Sequence, residues 1–431
     1  MRNLTLRDPA FMGSALQYAV SSPTVDLQFA ATRTLVDSVS GSSPFTVARA
    51  AATGTFFDAS GVLQTASADT ARFDNNPLTL ESLGLRVEEA RTNFYRNNTM
   101  VGAVSGIPGT VPTNWDISVG GSGINREIVG IASESGVSYI DPRFSGTGSA
   151  SASPQIRPET TTQIVAAAGQ TWTASYYIRL AGGSLTGVAS FSFQHIWQER
   201  NASGVALVSV GVSTSNPTAT ILPAQRSVTS RTLTDAGTAR LTNRLQWTFT
   251  NGVAADITVR VGLPQIEIGD TVTSPILTST AAVTRNADAI TSTASALLTA
   301  GTLFIEFRSP AVGIRGIYTM NDGTSGNRID IRTSGTTVQV LVVTGGITQT
   351  TLSVGTITAN ARARIAIRLV SGGVAASLNG GAVVSAAATR PTVTAVAIGQ
   401  TQAGEFLNST IAAITTWAVE FTDAMLVLQS T

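Results

Sequence analysis

Apolar and polar positions alternate with a period of two over much of the chain. Between residues 170 and 180, Trp172, Ala174, Tyr176, Ile178 and Leu180 hold the even places. Thr171, Thr173, Ser175, Tyr177 and Arg179 hold the odd ones. Successive side chains of a strand point to opposite faces, so the pattern predicts a half-buried strand. Residues 191–197, 245–249 and 257–261 alternate in the same way. So do 302–308, 328–332, 337–342, 364–369, 395–399 and 410–419. Turn signals fall between them, among them Asn321-Asp322-Gly323, Gly345-Gly346 and Asn379-Gly380-Gly381. Many short strands separated by such turns predict an all-β sandwich or barrel. Helical signal is scarce. The best candidate is 422–429, with Thr422 or Asp423 as N-cap, and a second is 77–83.

The alternation sets in late. Residues 1–95 lack it and read as an extended, loop-rich arm. Residues 96–285 read as one β module and 286–431 as another, with 273–288 as the connector. Both modules are long enough to bury a core of their own. The expected fold is an irregular N-terminal arm followed by two antiparallel β-sandwiches. Removal of residues 1–45 is expected to leave both sandwiches folded.

Composition narrows the chemistry. Hydrophobic residues make up 43% of the 431 and charged residues only 12%, about half the usual share of roughly 25%. The net charge of +1 gives no broad basic field for nucleic acid. There is no cysteine, so disulfides, thiolate metal sites and thiol nucleophiles are excluded. There is no lysine either, and all 27 basic residues are arginine. Lysine Schiff-base and phosphate-loop chemistry are thereby excluded. His195 is the one histidine. No nucleophile elbow, zinc-protease motif or paired-carboxylate pattern stands out among the 26 acidic residues. The chain is not expected to be an enzyme. No apolar run is long enough for a membrane helix. The start shows no apolar signal region, so synthesis and folding in a cytoplasm, without a signal peptide, are expected.

Two stretches are more specific than composition. The first comprises Thr46-Val47-Ala48-Arg49-Ala50, Phe56-Phe57-Asp58-Ala59-Ser60-Gly61-Val62-Leu63-Gln64, Arg72-Phe73-Asp74 and residues 81–93, from Glu81-Ser82-Leu83 to Arg91-Thr92-Asn93. It resembles the N-terminal block of tailed-phage virion structural proteins of the head-spike-fibre or tail-fibre type. The second comprises Pro264-Gln265-Ile266-Glu267-Ile268-Gly269-Asp270, Ser274-Pro275-Ile276-Leu277 and residues 282–288. It resembles the exit segment of a carbohydrate-binding-like jelly roll in the same proteins. Residues 301–307 and 316–323 resemble the opening strands of a concanavalin A-like or laminin-G-like sandwich. The resemblance implies a virion component anchored by residues 1–95. It implies capsid, neck or tail proteins as partners, homo-oligomers, and contact with host surface polysaccharide. Alternatives within reach of the same residues are a capsid-cementing protein without receptor function and a glycan-degrading spike.

Sugar binding calls for aromatic faces beside carboxylates, amides or arginines. Residues 195–201 mix these types, and the glycan-binding candidates are Tyr177, Arg179, His195, Trp197, Glu199 and Arg200, with Trp115 in a loop nearby. Trp172 and Trp247 share a face with aliphatic residues and read as core. Arg86, Glu88, Glu89 and Arg91 cluster within six residues of an otherwise charge-poor chain. Arginine–carboxylate pairs are directional, so this cluster can pin the arm onto the jelly roll or hold it against another subunit. No cofactor and no metal are expected. Calcium needs several converging oxygens; Asn321, Asp322, Asn327 and Asp330 supply some, and turn chemistry accounts for the same residues.

Overall fold

The computed structural model describes residues 22–51, 53–149, 152–189, 193–298, 301–370 and 372–431. Its sheets are antiparallel throughout, with only short helices. Two sheets enclose a first core. One is five-stranded, in the order Arg226–Thr232, Thr171–Gly183, Ala254–Ile268, Val137–Thr147 and Ile124–Glu134. The other runs Ala206–Ser213, Gln194–Arg200, Arg240–Gln246, Ser153–Arg157 and Asp116–Gly120, with Ile164–Val165 also paired to Arg240–Gln246. Trp172, Tyr176, Trp197 and Trp247 fill the space between them, fully buried. Phe193 stacks on Trp247 at 4.9 Å and Phe144 meets its edge at 5.2 Å. Burial of such large side chains dominates the stability of a sandwich core.

A second core lies between an eight-stranded and a seven-stranded sheet. The strands of residues 302–417 supply most of it. The described part of the leader supplies the rest, and here the structure departs from the expected irregular arm. Its strands are short and its connections irregular, yet they are woven into both sheets. Val25–Leu27 and Ser82–Val87 each pair with Ser409–Trp417, and Arg72–Asn75 pairs with Ser82–Val87. Thr46–Ala48 pairs with Ala289–Ser292 in the opposite sheet. Val25, Leu27, Phe29, Phe45, Leu85 and Val87 belong to the core. The leader could not be read from alternation because three- and four-residue strands are too short to show a period. Removal of residues 1–45 would strip four of these core side chains, so the expectation that it is dispensable for folding does not hold.

The first sandwich is therefore inserted into the second. The chain enters it through Arg91–Asn93 and leaves through Val283–Arg285, and these two segments pair with each other. Adjacent entry and exit are what an inserted unit requires. The helix Asp423–Ser430 forms as expected, its Thr422 cap accepting from the Met425 amide. Residues 77–83 form no helix. Asn76 closes a turn there, its side-chain oxygen accepting from the Leu78 and Thr79 amides, and Ser82 already begins a strand. Asn379 and Gly380 both take positive φ, 51° and 74°, as the turn residues there imply.

Candidate functional site

The charge cluster at residues 86–91 lies where the two sandwiches join. Glu88 is fully buried and is the hub. Its carboxylate accepts from Arg72 at 2.8 Å, from Arg86 at 3.1 Å, and from the backbone amide and hydroxyl of Ser274 at 2.7 Å. Arg285 approaches within 3.1 Å. Asp288 binds Arg49 at 2.8 Å and also takes Arg72. Arg86 closes the network on Asp74. Burial alone would raise the Glu88 carboxyl, but Arg285, Arg72 and Arg86 together hold it well below the usual carboxylate range. Glu89 reaches the second sandwich through Asn408, whose Nδ2 donates at 2.6 Å, and Arg91 pairs with Glu89. Within this chain, the cluster pins the leader to the jelly-roll exit. The Arg91 guanidinium lies so close to Gly269 that any side chain there would collide with it.

The glycan-binding candidates behave differently. His195, Trp197 and Glu199 point between the two sheets and are fully buried. His195 Nε2 lies 3.0 Å from the Ser227 hydroxyl and Nδ1 3.0 Å from that of Thr229. Burial pushes its pKa down to about 3, so it is a neutral packing residue. Trp197 Nε1 donates to Thr229 at 3.0 Å. Glu199 accepts from Arg231, from the Thr234 and Asp235 amides, and from the Thr238 hydroxyl, closing a loop at the sandwich end. Trp115 is no exposed platform: it is buried and donates to the Asn97 carbonyl at 2.7 Å. Tyr177 does lie on the outward side of its strand, but it is 2% exposed. The leader hairpin of Gly54–Phe57 and Leu63–Ala66 covers it with Phe57 and Leu63. Arg179 faces outward and is engaged by Glu134 at 3.2 Å. Of the predicted groove, Arg179 and Arg200 stand on outer sheet faces; Arg200 is 8% exposed and donates to Thr242, to the Gly204 carbonyl and to Gln198.

The face of Arg200 is the outer side of the six-stranded sheet. Alternation turns Leu241, Asn243, Leu245 and Trp247 inward, which leaves Arg240, Thr242, Arg244 and Gln246 outward. On the neighbouring strand Gln194, Ile196, Gln198 and Arg200 face the same way. Register sets Arg200 directly across from Arg240 and Gln198 across from Thr242. Gln155 lies across from Gln246, and the same register continued brings Arg157 beside Arg244. Gln198 Oε1 is clamped by Arg244 Nη1 at 2.6 Å and by Arg200. Gln155 donates to Ser118 at 3.0 Å. The edge strand adds Ser209 and Ser213, both exposed. Four arginines thus share one surface, and among the described residues of these strands Asp116 is the carboxylate beside them, 2.9 Å from Arg157. Arg240 forms no ion pair with any described residue. Burial lowers the Arg244 pKa, and repulsion from Arg157 and Arg200 adds to it. Arg200 is lowered in the same way, with Arg157 contributing.

The sequence reasoning missed Arg157, Arg240 and Arg244. The signal was present in residues 240–246, where arginine and glutamine occupy the polar phase of a strand, but the facing of one strand's arginines onto the next needs the register.

Other candidates are occupied. A cleft of about 290 Å³ between the sandwiches is lined by Arg86, Arg226 and Tyr177. Arg86 is committed to Asp74 and Glu88, and Arg226 lies over the Tyr177 ring and donates to the Thr273 carbonyl at 2.7 Å. Asp322 closes its own turn through Thr324 and Asn327, and Asp330 takes Arg328 at 2.9 Å. Among the described residues no cluster of three or more His, Asp or Glu is arranged to hold a metal.

No family model and no curated protein matches the chain. Solved structures give weak likenesses. The CBM40 of Ruminococcus gnavus IT-sialidase, bound to α2,3-sialyllactose, is 16% identical with a TM-score of 0.28, covering 32% of this chain and 87% of that one. Domains LG4-5 of the mouse laminin α1 chain are 11% identical with a TM-score of 0.21, covering 59% and 85%. The tandem CBM22 modules of Paenibacillus barcinonensis Xyn10C are 10% identical with a TM-score of 0.25, covering 76% and 99%.

Proposed function

We propose that the chain is a non-catalytic structural component of a tailed-phage or phage-like particle, and that its jelly roll contacts host surface polysaccharide. The observation that carries the reading is the hub around Glu88. Both segments that resemble virion proteins meet in it: Arg49, Arg72, Arg86 and Glu88 come from the first, Ser274, Arg285 and Asp288 from the second. The residues that carry the resemblance thus do one physical job, locking two sandwiches into one rigid unit. A rigid unit that presents sheet faces and loops suits contact chemistry, in which weak single sites gain strength from copy number.

Residues 1–95 carry the attachment role in this reading, joining the particle in addition to the part that their described segments play in the second sandwich. The test is immunogold labelling of particles from the natural host with antibody to the purified chain, together with protein sequencing of the banded particles. Labelled particles that retain the chain through density-gradient purification are expected. Unlabelled particles, with the chain left in the soluble fraction, would overturn the reading.

A further inference from the structure

We propose that the outer face of the six-stranded sheet binds an acidic polysaccharide, one bearing carboxylate or sulfate groups, through Arg157, Arg200, Arg240 and Arg244. This rests on the reading of the jelly roll as a glycan-contacting unit and names the class of glycan.

The argument starts from an arrangement that costs stability. Like charges directly opposite one another on neighbouring strands are destabilising, and Arg200 faces Arg240. The other sheet holds the same arrangement, Arg179 across from Arg260, but there Glu134 bridges the two at 3.2 and 2.6 Å. On the outer face of the other sheet Arg143 meets Asp256 at 2.8 Å and Glu127 at 3.3 Å. Arg260 there meets Asp141 at 2.8 Å and Glu134 at 2.6 Å. On that sheet Arg143, Arg179 and Arg260 each meet an acid and Arg226 lies over the Tyr177 ring, whereas the six-stranded sheet leaves four arginines to share Asp116. Departures from local consistency in an otherwise consistent fold mark functional surfaces.

The chemistry of the face then selects the ligand. Guanidinium groups bind carboxylate and sulfate oxygens in directional, often bidentate fashion. The amides of Gln155, Gln194, Gln198 and Gln246 and the hydroxyls of Ser209 and Ser213 line the same surface and match sugar hydroxyls. Arg240 and Arg244 are four residues apart on one strand, roughly 13 Å, so the two arginine pairs suit an extended polyanion better than a single small anion. Single-stranded nucleic acid needs aromatic side chains on which bases stack, and the outward positions of these strands carry none. The same lack removes the stacking platform that a neutral sugar would use. What remains is ion pairing combined with hydrogen bonding.

The experiment is equilibrium binding of the full chain to polygalacturonate, to its fully methyl-esterified neutral form, to dextran sulfate and to single-stranded DNA of matched charge. Variants are Arg157→Gln/Arg240→Gln, the single Arg240→Gln, and Arg143→Gln as a control that removes the same charge from the opposite face. Folding of each is checked by thermal melting. The expected result is binding to polygalacturonate or dextran sulfate, weakened by salt and weakened at least tenfold by the double substitution. Arg240→Gln should give a smaller loss and Arg143→Gln none. Carboxylate and sulfate sources are separated by which of the two acidic polymers binds. Equal binding of the neutral ester and the acid would overturn the inference and leave the glycan reading standing. An equal loss with Arg143→Gln, or DNA bound as tightly as the polysaccharides, would also overturn it. No binding to any polysaccharide would remove both.

Discussion

At the junction of the two sandwiches Arg49, Arg72, Arg86 and Arg285 lie against Asp74, Glu88 and Asp288, all buried except the half-buried Arg86 and cross-linked by hydrogen bonds. On the jelly-roll face Arg157, Arg200, Arg240 and Arg244 are an equal number of arginines, most half-buried, with Asp116 alone among them. The first group is self-contained. Its charges were taken out of water during folding and had to be matched. Arg157, Arg240 and Arg244 of the second group keep contact with solvent, so water can carry the mismatch and a ligand can replace the water. Arginine in this chain is thus used twice, once to hold the fold and once to leave unsatisfied charge on a surface.

That contrast can be broken in several ways. The largest effect is expected at the hub. Glu88→Gln leaves Arg72 and Arg285 buried without their shared carboxylate, and breaking a buried pair in this way costs on the order of 3–5 kcal/mol. Denaturant unfolding of the variant should show the loss. A change below about 1 kcal/mol would mean the hub is not holding the sandwiches together.

The next effect is a pH dependence. His195 is fully buried between the sheets with its pKa down at about 3, against about 6.5 in an unfolded chain. Below pH 6.5 the unfolded state binds a proton that the folded state refuses. Stability should be fully present above pH 6.5 and fall as the pH drops towards 3, by about 1.4 kcal/mol per pH unit. Between pH 6.5 and 5 this slope is separate from the carboxylates, which titrate lower. Stability curves at pH 7, 6 and 5 should show it in the wild type and not in His195→Gln. A flat wild-type profile would mean that His195 is accessible, as a ligand-binding residue would be.

A smaller effect is expected on the balanced face. Arg260→Gln leaves Asp141 and Glu134 without their main cation, and about 1–2 kcal/mol should be lost at this partly exposed site. If thermal unfolding shows no loss there, the acids on that sheet are not compensating its arginines, and the comparison of the two faces weakens.

Much of this architecture was legible from alternation, because a two-residue period records which side of a strand is buried. The same rule exposes an error in the choice of site. His195 and Trp197 share phase with Phe193, so they belong to the interior, and the ligand-facing phase is Gln194, Ile196, Gln198 and Arg200. Tyr177 could not be placed this way. It stands in the polar phase and is buried because a hairpin more than a hundred residues earlier in the chain folds over it, together with Val137, Leu222, Leu263 and Arg226. The leader's strands were hidden for a related reason, being short and completed by partners at the far end of the sequence. The facing of Arg200 onto Arg240 depends on register, which a single sequence does not display.

The account rests on the unmatched arginines being kept for a ligand at some cost to the fold, and Arg240→Glu tests both halves at once. The new carboxylate would face Arg200 across the strand pair, so thermal unfolding should show the variant more stable by about 0.5 kcal/mol. Its binding to an acidic polysaccharide should fall at least tenfold in the same preparation. A variant that gains stability and binds as well as the wild type would contradict the account.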